Sequence, residues 1–356
     1  MLLDLLRILL SLREAHHKGA HMSEHKERRW GSGCLFGFLT LCCFFVGLIF
    51  ALAMLGGDVS SELSVSERHL SGALEGEGVA VIEVSGVMMR GGDGFSDEGI
   101  TRPLLKMLER ARADHEVKGV LLQINTPGGS VTDADLIYRS IKRLREQGKV
   151  VIVHMDDTCA SGGYYISLAA DEVWALPTTI TGSIGVIVSG LNFSDLLNKY
   201  GVRDVTITSG ANKAILSPTS PVDEAHVALL QSIVDAMYAR FLSLLMEGRG
   251  LEEGPARALA DGRIFVSAEA LKHKLIDRVG YFDESLRSLK ERLKLPQNAR
   301  VKRYSVPHSF WSALGGVFQP ALDARVAHAL SAHSGQQALY LYAPQGLTAF
   351  LLRGAF

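Results

Sequence analysis

The stretch with the clearest chemical potential is CASGGYY, residues 159–165, because it sets a serine hydroxyl beside two glycine amides. The apolar run VVIV at 150–153 has the composition of a short buried strand, and ISLAA at 166–170 forms helix readily. Ser161 therefore falls at a strand-to-helix junction. There its hydroxyl can stand exposed, and the amides of Gly162 and Gly163, unpaired at a helix N-terminus, can face a developing negative charge. A serine nucleophile in acyl transfer needs that arrangement. A serine before a helix is more often a simple N-cap, and taken alone the heptad favours the cap.

A second glycine turn, NTPGGSV at 125–131, follows the apolar run GVLLQI at 119–124. It lacks the lysine of a phosphate-binding loop, and no G-x-G-x-x-G occurs. Gly128 and Gly129 fit either a tight turn or a second oxyanion-hole donor, since glycine lets the backbone approach a substrate closely. A serine hydroxyl also needs a base. No histidine lies between Ser161 and His226, which falls on a predicted helix, and His154 precedes the turn in a structural position. Of the two lysines between Ser161 and Ala225, Lys199 shares a polar helix face with Asp195, whereas Lys213 follows a strand and a Ser-Gly turn. Burial beside Ile215 and Leu216 would favour the neutral amine that a base requires; a solvated surface lysine is the plain alternative. Cys159 reads as a small buried core residue. The chain has no HExxH and no metal-ligand cysteine spacing, so neither metal nor cofactor is expected.

The elements that must position these groups alternate. Strands are expected at 79–84, 119–124, 150–153, 172–176, from 181 onward and at 205–208. Helices are expected around 104–111, 134–144, 193–200 and 222–247. The order of strand, glycine turn, helix, strand, turn, helix implies parallel βαβ crossovers, with both glycine turns at the carboxyl ends of strands and close together. The apolar stripe Val227, Leu230, Val234, Met237, Phe241 and Leu245 of the long helix is assigned to the core or to a subunit contact.

Upstream, residues 34–55 read CLFGFLTLCCFFVGLIFALAML, a charge-free run of about 22 residues, enough to cross a bilayer core of about 30 Å. Lys26, Arg28 and Arg29 precede it and Asp58, Glu62 and Glu67 follow, so the N-terminus is expected in the cytoplasm and the rest across the membrane. Cys34, Cys42 and Cys43 fall in the span, leaving Cys159 alone beyond it. The first residues, LLDLLRILLSLREA, are amphipathic, and Met22 is an alternative start. The expected divisions are 1–33 cytoplasmic, 34–56 anchor, 57–78 linker, 79–300 folded domain and 301–356 a C-terminal extension whose apolar content suits packing or a partner. A formal net charge of -1 argues against a nucleic-acid partner.

NTPGGSV, CASGGYY, TGSIGV, SGANK and DGRIFVSAEAL, in this order over roughly 79–295, resemble the signal peptide peptidase A family of membrane-anchored serine proteases. The resemblance implies an α/β domain of the Clp-protease/crotonase fold behind one N-terminal transmembrane helix. It implies that Ser161 is the nucleophile, Lys213 the general base and Ser183 a residue that orients the lysine. Gly129 and Gly162, with Gly128 beside them, match the oxyanion-hole region. The implied substrates are remnant signal peptides and other small hydrophobic peptides at the membrane. A single domain copy implies the short bacterial form, a homo-octamer whose dyads draw Ser and Lys from adjacent protomers. Ala214, Leu216 and Cys159 depart from the family pattern and bear on pocket shape. The rival functions are an acyl-CoA hydratase of the same fold, disfavoured by export, and a catalytically silent membrane scaffold.

Overall fold

The computed structural model describes residues 65–90, 99–306 and 339–341, with Thr40, Leu41, Phe44 and Gly47. Those four are helical, but the expected anchor at 34–56 otherwise lies outside the described residues, as do most of 307–356. The chain divides into two units, Met1–Glu62 and Leu63–Phe356, and the second carries the folded domain.

The elements are β1 (Ser66–Ser71), β2 (Gly78–Ser85), α1 (Thr101–Ala113), β3 (Val117–Thr126), β4 (Gly128–Ser130), α2 (Val131–Glu146), β5 (Val150–Ala160) and α3 (Gly162–Ser167). Next come β6 (Glu172–Ala175), β7 (Ile180–Gly182), α4 (Ser194–Lys199), a 3-10 turn (Ala211–Ala214), α5 (Glu224–Arg249) and α6 (Glu253–Leu259). The last are β8 (Ile264–Val266), α7 (Ser267–Lys272), β9 (Arg278–Val279), α8 (Phe282–Arg292), β10 (Arg300–Ser305) and β11 (Leu339–Leu341). One sheet runs β1-β10-β2-β3-β5-β6-β9, with β7 bridging β5 to β8. From β10 through β9 the pairings are parallel; β1 on β10 and β8 on β7 are antiparallel. This is the α/β, Clp-protease-like fold.

Parallel strands buried on both faces read as continuous apolar runs because alternate residues face opposite layers. Val79, Val81, Leu121 and Ile152 pack with Trp174 and Leu289 on the α8 side, while Ala80, Ile82, Val120, Leu122, Val151 and Val153 join the larger core on the other side.

Residues 66–71, expected within a linker, form β1, and the residues after 300, expected in the extension, form β10. The two strands pair with each other. SERHLS is polar and exposed along its length, so no hydrophobic pattern marks it, and it joins the sheet by backbone pairing to β10. Glu67 then reaches Arg110 and Lys302. Lys302 is buried against Asp114, which also accepts a 2.8 Å hydrogen bond from the Tyr304 hydroxyl. Burial pushes the Asp114 carboxyl up, but Lys302, Tyr304 and the Glu116 amide outweigh it and hold it at about 2. Residues 205–208, expected as a strand, have no sheet partner among the described residues: Val205 is 84% and Ile207 93% exposed. The alternation in VTIT expresses β propensity, which makes a strand only where a neighbour supplies the ladder.

His154 lies fully buried on β5 with neither ring nitrogen hydrogen-bonded among the described residues, edge-on to Phe282 at 5.8 Å. Burial pushes its imidazole down to about 4 from an ordinary value of 6.5. The unfolded chain therefore binds a proton the folded one refuses. Stability from this site is complete above pH 6.5 and falls as pH drops from 6.5 toward 4, by about 3 kcal/mol at most. Unfolding free energies at pH 7 and pH 4.5 check this: the difference should shrink in His154→Phe, and an unchanged slope would remove His154 as its source.

Candidate active site

Strand β5 delivers Ser161 into a sharp elbow. Ser161 has φ 54° and ψ -114°, its amide donates to the Gly182 carbonyl at 2.8 Å, and its own carbonyl accepts from Tyr165 to begin α3. A non-glycine residue held at positive φ costs about 1–3 kcal/mol and persists only where its surroundings enforce it. Here the β5–β7 pairing, with Ala160 opposite Gly182, does the enforcing. Ser183, the next residue, also has positive φ (52°) and is fixed by its amide donating to the Arg263 carbonyl at 2.7 Å. The two serines thus sit at adjoining strand ends.

The glycine turns meet as expected. A Cβ at Gly162 would lie 3.2 Å from the Gly128 Cα and 3.3 Å from the Gly129 nitrogen. Strand β4 is held in place from one edge by Met88, whose amide donates to the Gly128 carbonyl and whose carbonyl accepts from the Ser130 amide, both at 2.8 Å. The N–H and C=O of Gly129 consequently point away from Met88. Thr126 supports the turn, its hydroxyl accepting from the Gly128 amide at 3.1 Å. Asp133 at the start of α2 anchors the Met88 segment by accepting from the Arg90 amide at 2.9 Å and Nε at 2.6 Å.

Ser161 Oγ is buried and has no hydrogen-bond partner among the described residues. Lys213 lies on the 3-10 turn Ala211–Ala214, exposed. His226 Nε2 fastens that turn to α5 by donating to the Ala211 carbonyl at 3.1 Å. The single chain therefore assembles Ser161, Gly162, Gly128, Gly129 and Ser183, and does not hydrogen-bond Lys213 to Ser161. Lys199 is exposed on α4. Cys159 is a free, buried thiol pushed by burial up to about 12, which makes it an inert core group despite its place beside the elbow. Among the described residues no cluster of three His, Cys, Asp or Glu side chains could hold a metal ion.

Met88, Thr126 and Arg90 were not found by sequence reasoning. The first acts through backbone groups that any residue carries, so no residue type signals it. The Arg90–Asp133 pair joins residues whose separation matches no periodicity.

The profile of peptidase family S49 matches residues 143–296, and that of Clp protease residues 93–181. A putative signal peptide peptidase SppA of Enterococcus faecium is 36% identical over 234 residues, 65% of this chain and 68% of that one. A putative protease of Methanocaldococcus jannaschii is 30% identical over 274 residues, 76% of this chain and 86% of that one. Protease 4 of Haemophilus influenzae is 34% identical over 235 residues, which are 64% of this chain and 37% of that longer protein. With relatives matched over most of their length and a serine elbow beside paired glycines, the chain belongs to peptidase family S49 and is a serine protease of Clp-like fold.

Proposed function

We propose that this protein is a membrane-anchored serine endopeptidase that uses a Ser161–Lys213 dyad to degrade remnant signal peptides and other small hydrophobic peptides. The observation that carries the reading is the Ser161 Oγ, buried and without a hydrogen-bond partner among the described residues, at a strained elbow whose next residue, Gly162, lies against the Gly129 amide. A buried hydroxyl without a partner costs about 1–3 kcal/mol, a cost that a base or a substrate would relieve. In the mechanism, Lys213 takes the Ser161 proton as Oγ attacks the scissile carbonyl. The Gly162 and Gly129 amides stabilise the oxyanion, Ser183 helps orient the lysine, and the Lys213 ammonium returns the proton to the leaving amine. Water then hydrolyses the acyl-enzyme.

Lys213 reaches Ser161 from a second copy of the chain. Two observations support this: the lysine turn faces solvent in one chain, and its surroundings expose apolar side chains, among them Val205, Ile207, Val222 and Val227. Packing against a neighbour would bury that surface. By resemblance the assembly is a homo-octamer. Residues 34–56 anchor it in the inner membrane, with the N-terminus cytoplasmic and the peptidase domain outside.

The test uses the full chain in detergent with a synthetic signal peptide and a serine-directed acylating probe. Cleavage of the peptide is expected, with the probe's label on Ser161. Absence of both cleavage and label would overturn the reading in favour of a silent scaffold.

A further inference from the structure

The Gly129 and Gly162 amides belong to separate segments of the chain, so the distance between them has to be set by a group that touches both turns. Thr126, the last residue of β3, does so. It is fully buried, and its hydroxyl donates to the Gly86 carbonyl at 2.5 Å and accepts from the Gly128 amide at 3.1 Å. Gly86 opens the segment whose Met88 pairs with β4, and Gly128 begins β4 itself. One hydroxyl therefore bonds both partners of the pair that carries Gly129. The methyl group packs on the elbow: a Cβ built on Gly163 would lie 2.7 Å from Thr126 Cγ2 and 3.3 Å from its carbonyl oxygen. Thr126 also stands opposite Cys159, two residues before Ser161, in the β3–β5 register. The Ser167 hydroxyl donates to the Gly163 carbonyl at 2.8 Å and so holds the first turn of α3 against this contact. A threonine side chain turns as one unit about χ1, so two bonds to its hydroxyl also fix where its methyl lies.

We propose that Thr126 is a positioning residue of the oxyanion hole, its hydroxyl setting the place of the Gly129 amide and its methyl that of the Gly162 amide, so that both donors meet one oxyanion. This rests on the serine-peptidase reading above. Thr126 acts through the two glycine turns and not on the substrate itself. Its effect falls on the tetrahedral state more than on the bound peptide, because a misplaced donor costs little at a neutral carbonyl and much at an oxyanion. Valine matches threonine in shape but leaves the Gly128 amide and the Gly86 carbonyl without this partner. Serine keeps the hydroxyl and loses the methyl.

Hydrolysis of a synthetic hydrophobic peptide by the full chain in detergent tests this, together with inhibition by a peptide boronic acid, whose adduct on a serine is a tetrahedral anion. Each variant is sized and thermally unfolded alongside. Thr126→Val is expected to lose about 10² in kcat with KM within about threefold of wild type, and to bind the boronic acid more weakly by the factor lost in kcat/KM. Thr126→Ser should recover to within about tenfold of the wild-type kcat. A second pair keeps the test open if Thr126→Val fails to fold. Gly163→Ala should lose at least about tenfold in kcat, because Cγ2 cannot turn away from the new Cβ without breaking the hydroxyl's bonds. Adding Thr126→Ser, which removes Cγ2, should restore most of that loss. The proposal falls if folded Thr126→Val keeps wild-type kcat, or raises KM alone with boronic acid affinity unchanged. It falls equally if the valine and serine variants lose kcat alike, or if Thr126→Ser leaves the Gly163→Ala loss as it was. In each of these cases the peptidase reading stands. A wild type that neither hydrolyses the peptide nor binds the boronic acid overturns that reading and the proposal with it.

Discussion

Ser161→Ala and Lys213→Ala, each expressed alone, are expected to lose at least about 10⁴ in kcat, and co-expression of the two should restore activity. The loss follows from the chemistry: without Oγ there is no acyl-enzyme, and without a neutral amine the hydroxyl keeps its proton. Restoration follows from the geometry. Ser161 Oγ has no hydrogen-bond partner among the described residues of its own chain, and Lys213 stands exposed on a turn tied to the solvent-facing half of α5. If each site takes its serine from one protomer and its lysine from the next, random co-assembly leaves both groups intact at about a quarter of the sites, and activity should recover to about that fraction. A dyad formed within one chain would recover nothing. A Lys213→Ala enzyme as fast as wild type would show that another group accepts the proton. The assembly is sized in the same samples, because a variant that fails to assemble would lose activity for a different reason.

The parts of this site legible in the sequence were those where residue type carries the physics. The apolar runs of β2, β3 and β5 had to be strands buried on both faces, and a serine between such a strand and a helix had to sit at an elbow. Glycine pairs at two strand ends could approach each other, and here they do. The missed elements work through backbone. SERHLS enters the sheet without a hydrophobic face, and Met88 braces β4 with an amide and a carbonyl that every residue but proline provides. The stripe on α5 was half informative. Phe241 and Leu245 are buried in this chain's core, but Val227 is exposed, and Leu230, Val234 and Met237 are only partly covered. Among the described residues this helix is the one long and apolar enough to cross a membrane by length and composition, yet its C-terminal turns are built into the domain. One periodic pattern thus covers a core contact and a face left open in the single chain. Sequence could not divide them, because both require the same apolar residues at the same spacing.

Gly129→Ala should lower kcat by about 10² to 10³ or more, the loss expected on removal of one oxyanion donor. Gly129 has φ 155°, and a Cβ there would lie 2.2 Å from the Met88 carbonyl oxygen and 2.7 Å from its nitrogen. Both are backbone atoms in the segment after β2 that Asp133 fixes through Arg90, so they cannot swing aside as a side chain would. The alanine must push β4 away from Met88, and the Gly129 N–H then moves off the line it holds beside Gly162. Strand β11 pairs antiparallel with the same edge, so an extended substrate bound there would lose the same bonds, and KM should rise as kcat falls. Gly148→Ala supplies the control for backbone strain alone. Gly148 also has positive φ, 80°, but nothing lies within 4 Å of its Cβ position in the turn after α2. That variant should lose some stability and keep its kcat. Steady-state kinetics and thermal unfolding on both variants separate the effects, and a Gly129→Ala enzyme with wild-type kcat would take the Gly129 amide out of the oxyanion hole.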